Sequence, residues 1–205
     1  MFYIRKARGI LYSIRRRSGT LILILAILAG CSGTGDDLLP SGEDQRPTIV
    51  DGAIGGRPGN TAPDFALITT VNSNFTLSDY PRGGANEAEA VVLYFTMWCP
   101  ICSAHMDQIQ FEIMPKFAGA DVIYLAVDYL SDSVIITRQS QLEAGFSDGD
   151  WLAAPDPGQV VTSIFQGTMG TTVVIDPDGI VRLNEDFRTG ENLVRILTEL
   201  TAPTP

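Results

Sequence analysis

Apolar positions follow different rhythms along this chain, and each rhythm implies a different kind of element. The first is an unbroken run, Leu21 to Ala29, closed by Gly30 and Cys31. A membrane-crossing helix needs about 20 apolar residues, so this run is too short to span and suits the core of a secretory signal. From Ser32 to about Asn60 the periodicity vanishes and Gly, Pro, Asp and Ser take over. Such a segment buries too little surface to offset its ordering entropy, which predicts a flexible tether over 31–59. The domain is expected over 60–203. Phe65-Ala66-Leu67-Ile68 and Phe75-Thr76-Leu77 flank Asn72-Ser73-Asn74, the pattern of a hairpin.

The remaining elements alternate between two periods. Val91–Thr96 and Val122–Val127 are short continuous apolar runs, as strands covered on both faces require. Residues 104–117 carry Met106, Ile109, Ile113 and Phe117 at helical spacing. Ser133–Phe146 reads as a helix with Ser131 or Ser133 as its cap. Trp151–Ala154 reads as a short strand and Gly158–Phe165 as a short helix. Thr171–Ile175 and Ile180–Leu183 are strands joined by the turn Asp176-Pro177-Asp178-Gly179, and Glu191–Leu200 is an amphipathic helix. This alternation predicts an α/β layered domain with a central mixed sheet flanked by helices, extended at its N-terminus by the hairpin.

Charge sharpens the division. Residues 1–30 hold Arg5, Lys6, Arg8, Arg15, Arg16 and Arg17 and no acid, leaving 8 basic against 24 acidic residues in the rest of the chain. So acidic a body repels nucleic acid, whose phosphates require Lys and Arg. Residues 1–30 therefore read as a signal peptide. The run Leu28-Ala29-Gly30-Cys31 resembles the bacterial lipobox, whose cysteine is acylated and becomes the mature N-terminus. That resemblance implies lipidation at Cys31, a membrane anchor and a domain facing the periplasm or another extracytoplasmic space. An ordinary cleavable signal with an unmodified Cys31 is the competing reading. The pairs Asp36-Asp37 and Glu43-Asp44 read as solvated linker charge.

The other two cysteines carry the chemistry. Cys99-Pro100-Ile101-Cys102 follows a buried strand and opens a helix. Unpaired N–H groups and about half a positive charge at a helix N-terminus stabilise a thiolate, which is the attacking species in disulfide exchange. Cys99 is thus expected as nucleophile and Cys102, one turn later, as the resolving thiol. Trp98 is expected to shield the pair, and Pro100 suits the first helical turn. A purely stabilising disulfide is the plainer alternative, yet closing a four-residue loop gives only about 2 kcal/mol. Copper(I) held by Cys99, Cys102 and His105 is a second alternative, since copper(I) accepts two thiolates, whereas structural zinc wants four ligands. For His105, the only histidine, a solvent-facing or capping role is expected over a ligand role.

Together these motifs resemble membrane-anchored thioredoxin-like proteins of the TlpA/ResA type, within the redoxin (AhpC/TSA) group. The resemblance rests on Ala62-Pro63-Asp64-Phe65, Phe75–Tyr80, the strand into Trp98-Cys99-Pro100-Ile101-Cys102, and Thr171–Gly179. It implies a thioredoxin fold and disulfide exchange with protein clients, using an upstream electron donor or acceptor and no cofactor beyond the Cys99–Cys102 disulfide. A monomer is expected. It also implies that Ile101, Met169, Gly170 and Thr171 neighbour the active site, because the family places a cis-proline immediately before the Thr-Thr strand. Gly170 stands there instead and is expected to be trans, since a cis bond without proline costs about 2.5–4 kcal/mol. In the family that proline is held to keep metals off the thiols, so its loss strengthens the copper alternative. Two further departures are Leu93 in place of a buried acid and Met106 in place of a helix proline. Thr96-Met97-Trp98-Cys99 also fits half of a peroxiredoxin signature, but Val92 occupies the position of its proline.

Overall fold

The computed structural model describes residues 53–146 and 151–202. The expected signal 1–30, Cys31 and most of the expected tether lie outside the described residues. Two strands, β1 (Ala66–Ile68) and β2 (Asn74–Thr76), pair antiparallel as the hairpin, with Leu67 opposite Phe75. The central sheet comprises β3 (Ala90–Thr96), β4 (Val122–Asp128), β5 (Leu152–Pro155), β6 (Thr171–Ile175) and β7 (Val181–Asp186). Its order is β5-β4-β3-β6-β7. β4 runs parallel to both β3 and β5, while β6 is antiparallel to β3 and β7 to β6. The mixed sheet expected from the apolar pattern is therefore present.

β3 is buried along its whole length, and its period of two divides the core. Val92 and Tyr94 point to one side with Met106, Ile109, Leu193 and Leu197. Val91, Leu93 and Phe95 point to the other with Phe65, Phe75, Val161 and Phe165. The first layer is covered by α1 (Pro100–Gln108) and α4 (Glu191–Leu200), the second by the hairpin and α3 (Val160–Phe165).

Two expectations change. The helix after the cysteine pair starts at Pro100 and does not stay α-helical to Phe117. It widens into a π-turn at Ile109–Ile113 and tightens to 3-10 geometry at Met114–Phe117. Pro115 lacks an N–H and its ring crowds the carbonyl four residues back, so a regular helix cannot run through it. The spacing of Met106, Ile109 and Ile113 still buries all three. The tether also ends earlier than residue 59. Gly55 N–H donates to Thr61 O at 2.9 Å and Gly59 N–H to Val181 O at 2.8 Å. Asn184 Nδ2 donates to Gly56 O and Phe165 O. Composition alone hides this, because backbone groups and one distant asparagine make the attachment.

α2 (Val134–Glu143) is capped by Ser133, whose Oγ accepts Ile136 N–H. Its polarity is inverted: it buries Thr137 and Gln141 while Ile135, Ile136 and Leu142 are exposed. Gln141 Oε1 accepts the Thr70 hydroxyl at 2.8 Å, and Thr137 donates to Asp128.

α3 depends on a carboxylate outside it. Asp156 is buried and accepts from Val161 N, Thr162 N and Thr162 Oγ1 at 3.0, 2.7 and 2.6 Å. Asp156→Ala is expected to lower unfolding free energy by about 2–4 kcal/mol, because it strands buried donors. Urea denaturation checks this; a loss below about 0.5 kcal/mol, the size of an ordinary surface change, would show that water caps the helix equally well.

Candidate active site

The parallel register pairs Thr96 with Asp128 at the ends of β3 and β4. The chain then turns through Met97 and Trp98 and enters α1 with Cys99 as N-cap and Pro100 at its first position. Cys99 Sγ accepts the Cys102 N–H at 3.2 Å, so the sulfur occupies the place a capping oxygen would take. Both cysteines are free thiols, with sulfurs 2.8 Å apart. Cys99 is partly exposed and Cys102 fully buried. Burial pushes the Cys102 thiol up, and its contact with Cys99 adds to this. Backbone donors at Met97 and Cys99 and the Thr96 hydroxyl pull the other way.

Trp98 takes a left-handed backbone, φ +58°, which costs a bulky residue about 1–3 kcal/mol. Its N–H donates to Thr96 Oγ1 at 3.0 Å, and its indole Nε1 donates to Asp128 Oδ2 at 2.9 Å. The indole is thus an anchor as well as the expected shield. Asp128, 2% exposed, also accepts Thr137 Oγ1 at 2.8 Å and the N–H groups of Leu130 and Ser131 at 3.2 Å. One carboxylate thereby joins the cysteine loop, the end of β4 and α2. The sequence reading missed it; the available signal was an acid closing the apolar run Ala126-Val127.

His105 departs from the solvent-facing or capping role expected for it. It is partly buried, with Nδ1 3.0 Å from Tyr94 OH and its ring 4.8 Å from that of Phe187. Burial lowers the His105 pKa. Burial, then the nearby thiols, raises that of Tyr94 far above the ordinary phenol range. The phenol therefore keeps its proton and faces a neutral imidazole, and the imidazole tautomer sets which of the two donates. No three His, Cys, Asp or Glu side chains converge as a metal site among the described residues, so Cys99, Cys102 and His105 are not assembled as a ligand set.

The remaining expected neighbours differ. Met169 reaches the pair, with Sδ 3.5 Å from Cys99 Sγ. The Met169–Gly170 bond is trans, as expected, and Gly170 has φ +85°. Proline, locked near −65°, cannot adopt that angle, and it would also remove the bond from Gly170 N–H to Phe95 O. Ile101 is exposed beside the thiols. Thr171 turns elsewhere: its Oγ1 accepts from Thr168 N–H and donates to Asp186.

The AhpC/TSA family model matches residues 58–184, more than half of the chain. The chain belongs to the AhpC/TSA family. A comparison with curated protein sequences finds no match. Solved structures share the fold of this AhpC/TSA domain. A candidate protein disulfide isomerase of Bacteroides thetaiotaomicron is 22% identical, with TM-score 0.56 over 70% of this chain and 87% of its own. MTB dsbF is 21% identical, with TM-score 0.51 over 67% and 95%. The reduced 2-Cys peroxiredoxin of Plasmodium vivax is 18% identical, with TM-score 0.54 over 68% and 79%. The AhpC/TSA domain thus has the thioredoxin-like α/β architecture expected of it.

Asp128→Asn places an amide NH₂ where donors now converge. It is expected to cost about 2–3 kcal/mol and to release the Trp98 indole, read as a change in tryptophan fluorescence. Unchanged stability and fluorescence would remove Asp128 as the anchor. Acid provides a second check. The folded His105 pKa lies below the ordinary value of about 6.5. As pH falls through that value toward the lower folded one, the unfolded chain binds a proton that the folded chain does not. Stability is therefore expected to fall with acidification in this window, and His105→Asn is expected to flatten the slope. An unaltered slope in that variant would assign the effect to carboxylates.

Proposed function

We propose that the protein is a thiol–disulfide oxidoreductase of the TlpA/ResA type, working outside the cytoplasmic membrane and tethered through a lipid on Cys31. The observation that carries the chemistry is the unequal exposure of two adjacent free thiols at a helix N-terminus. Cys99 attacks a client disulfide, forming a mixed disulfide and releasing one client thiolate. Cys102 then gives up its proton and attacks Cys99 Sγ, releasing the second client thiolate and leaving the Cys99–Cys102 disulfide. Run backwards, the same steps oxidise a dithiol. An upstream electron donor or acceptor resets the pair.

Protein clients are supported by the apolar surface at the nucleophile: Met97 and Met169 are each 39% exposed and Ile101 53%. Such surface suits docking of an extended polypeptide. The anchor is supported by the basic, apolar and lipobox-like succession ending at Cys31. No described helix is long and apolar enough to cross a membrane. A peroxidase reading has less support, because the Thr96 hydroxyl serves Cys102 and the Trp98 N–H, whereas peroxide chemistry at Cys99 would call for it there.

Insulin reduction by the full chain, driven by dithiothreitol, tests the reading. Cys99→Ser is expected to abolish turnover, and Cys102→Ser to accumulate a mixed disulfide visible on a non-reducing gel. Turnover that survives Cys99→Ser would overturn the assignment.

A further inference from the structure

The contact between Met169 and Cys99 has no role in disulfide exchange as described. We propose that the reduced Cys99 and Cys102 sulfurs and the Met169 thioether form a three-sulfur site for copper(I). The inference does not rest on the oxidoreductase reading, since binding transfers no electrons. The two thiols lose their protons to solvent as two Cu–S bonds form, and the thioether adds a neutral third bond.

Three features carry it. The donors are already gathered, with Cys99 Sγ 2.8 Å from Cys102 Sγ and 3.5 Å from Met169 Sδ. A trigonal set with metal–sulfur bonds of about 2.3 Å separates its sulfurs by about 4 Å. Side-chain rotations that move the sulfurs apart by about an ångström would open the cluster to that size. The donor chemistry is also selective: thiolates and thioethers favour copper(I), while zinc lacks a fourth ligand. His105 does not enter the set, because no three His, Cys, Asp or Glu side chains converge there among the described residues.

The third feature is access. Cys99 is partly exposed and Met169 is 39% exposed, so the metal can arrive without the fold opening. Beyond residue 30 the chain carries 8 basic against 24 acidic residues, a field that draws cations toward it. Gly170 is fixed beside Met169 by bonds from Gly170 N–H to Phe95 O and from Phe187 N–H and the Thr172 hydroxyl to Gly170 O. Exchange with an added disulfide, which is reduced to two thiols as the Cys99–Cys102 bond forms, removes both thiolates and so excludes the metal.

The test titrates reduced full-length chain with copper(I) supplied as its acetonitrile complex, against a chromogenic copper(I) chelator, with X-ray absorption of the loaded protein. One copper per chain with three sulfur neighbours is expected. Met169→Leu is expected to leave two sulfurs and to weaken binding at least about tenfold, the scale on which partners of metal ligands act. Met97→Leu, which changes the neighbouring exposed thioether, is expected to keep both affinity and sulfur count. Half a copper per chain, an identical sulfur count in Met169→Leu, or loss in Met97→Leu alone would each overturn the site. Disulfide turnover by the same preparations is read separately and bears only on the oxidoreductase reading.

Discussion

The Asp128 carboxylate is the constraint on which the cysteine site depends. Buried charge is costly unless hydrogen bonds replace the lost water. Asp128 obtains four donors: the Trp98 indole, the Thr137 hydroxyl and two backbone N–H groups. They come from three parts of the site's frame, the cysteine loop, α2 and the loop after β4, so satisfying the carboxylate fixes these parts relative to one another. The left-handed Trp98 is held by this arrangement together with the Thr96 hydroxyl. Its turn brings Cys99 to the start of α1 rather than letting β3 run on.

From that placement follows an asymmetry between two chemically identical side chains. Cys99 caps the helix and meets solvent, whereas Cys102 lies one turn inside, among Tyr94 and Met106 in the core layer. Burial disfavours a thiolate at Cys102, while the N–H of Cys102 itself points at Cys99 Sγ. The division into an outer and an inner thiol is thus a property of position. Opposite them stands Gly170, whose φ is positive. It frees a backbone N–H for Phe95 and leaves a methionine sulfur against Cys99.

The strands and most helices were legible because their signals are local. A buried strand is a continuous apolar run, and an amphipathic helix such as α4 shows its period outright; its bounds agree with the expected 191–200. α2 was legible as a helix but not in its orientation. It turns Thr137 and Gln141 inward toward Asp128 and Thr70, and an inward polar face is chosen by partners far away in the chain. Pro115 was visible, yet the π-turn before it expresses how the helix keeps Met106, Ile109 and Ile113 buried while accommodating the ring.

By itself, the sequence determined the mixed α/β architecture, the cysteine pair at a helix start and the trans glycine at 170, because each rests on residue type and near-neighbour spacing. Tertiary structure alone decided which acid anchors the site, which partner His105 takes, where the domain's N-terminal edge is tied down and which methionine touches Cys99. The bonds of His105 to Tyr94, Trp98 to Asp128, Cys99 to Met169 and Asn184 to Gly56 join residues from 11 to 128 positions apart. Local spacing says little about them, because they depend on how the sheet order brings distant strand ends together.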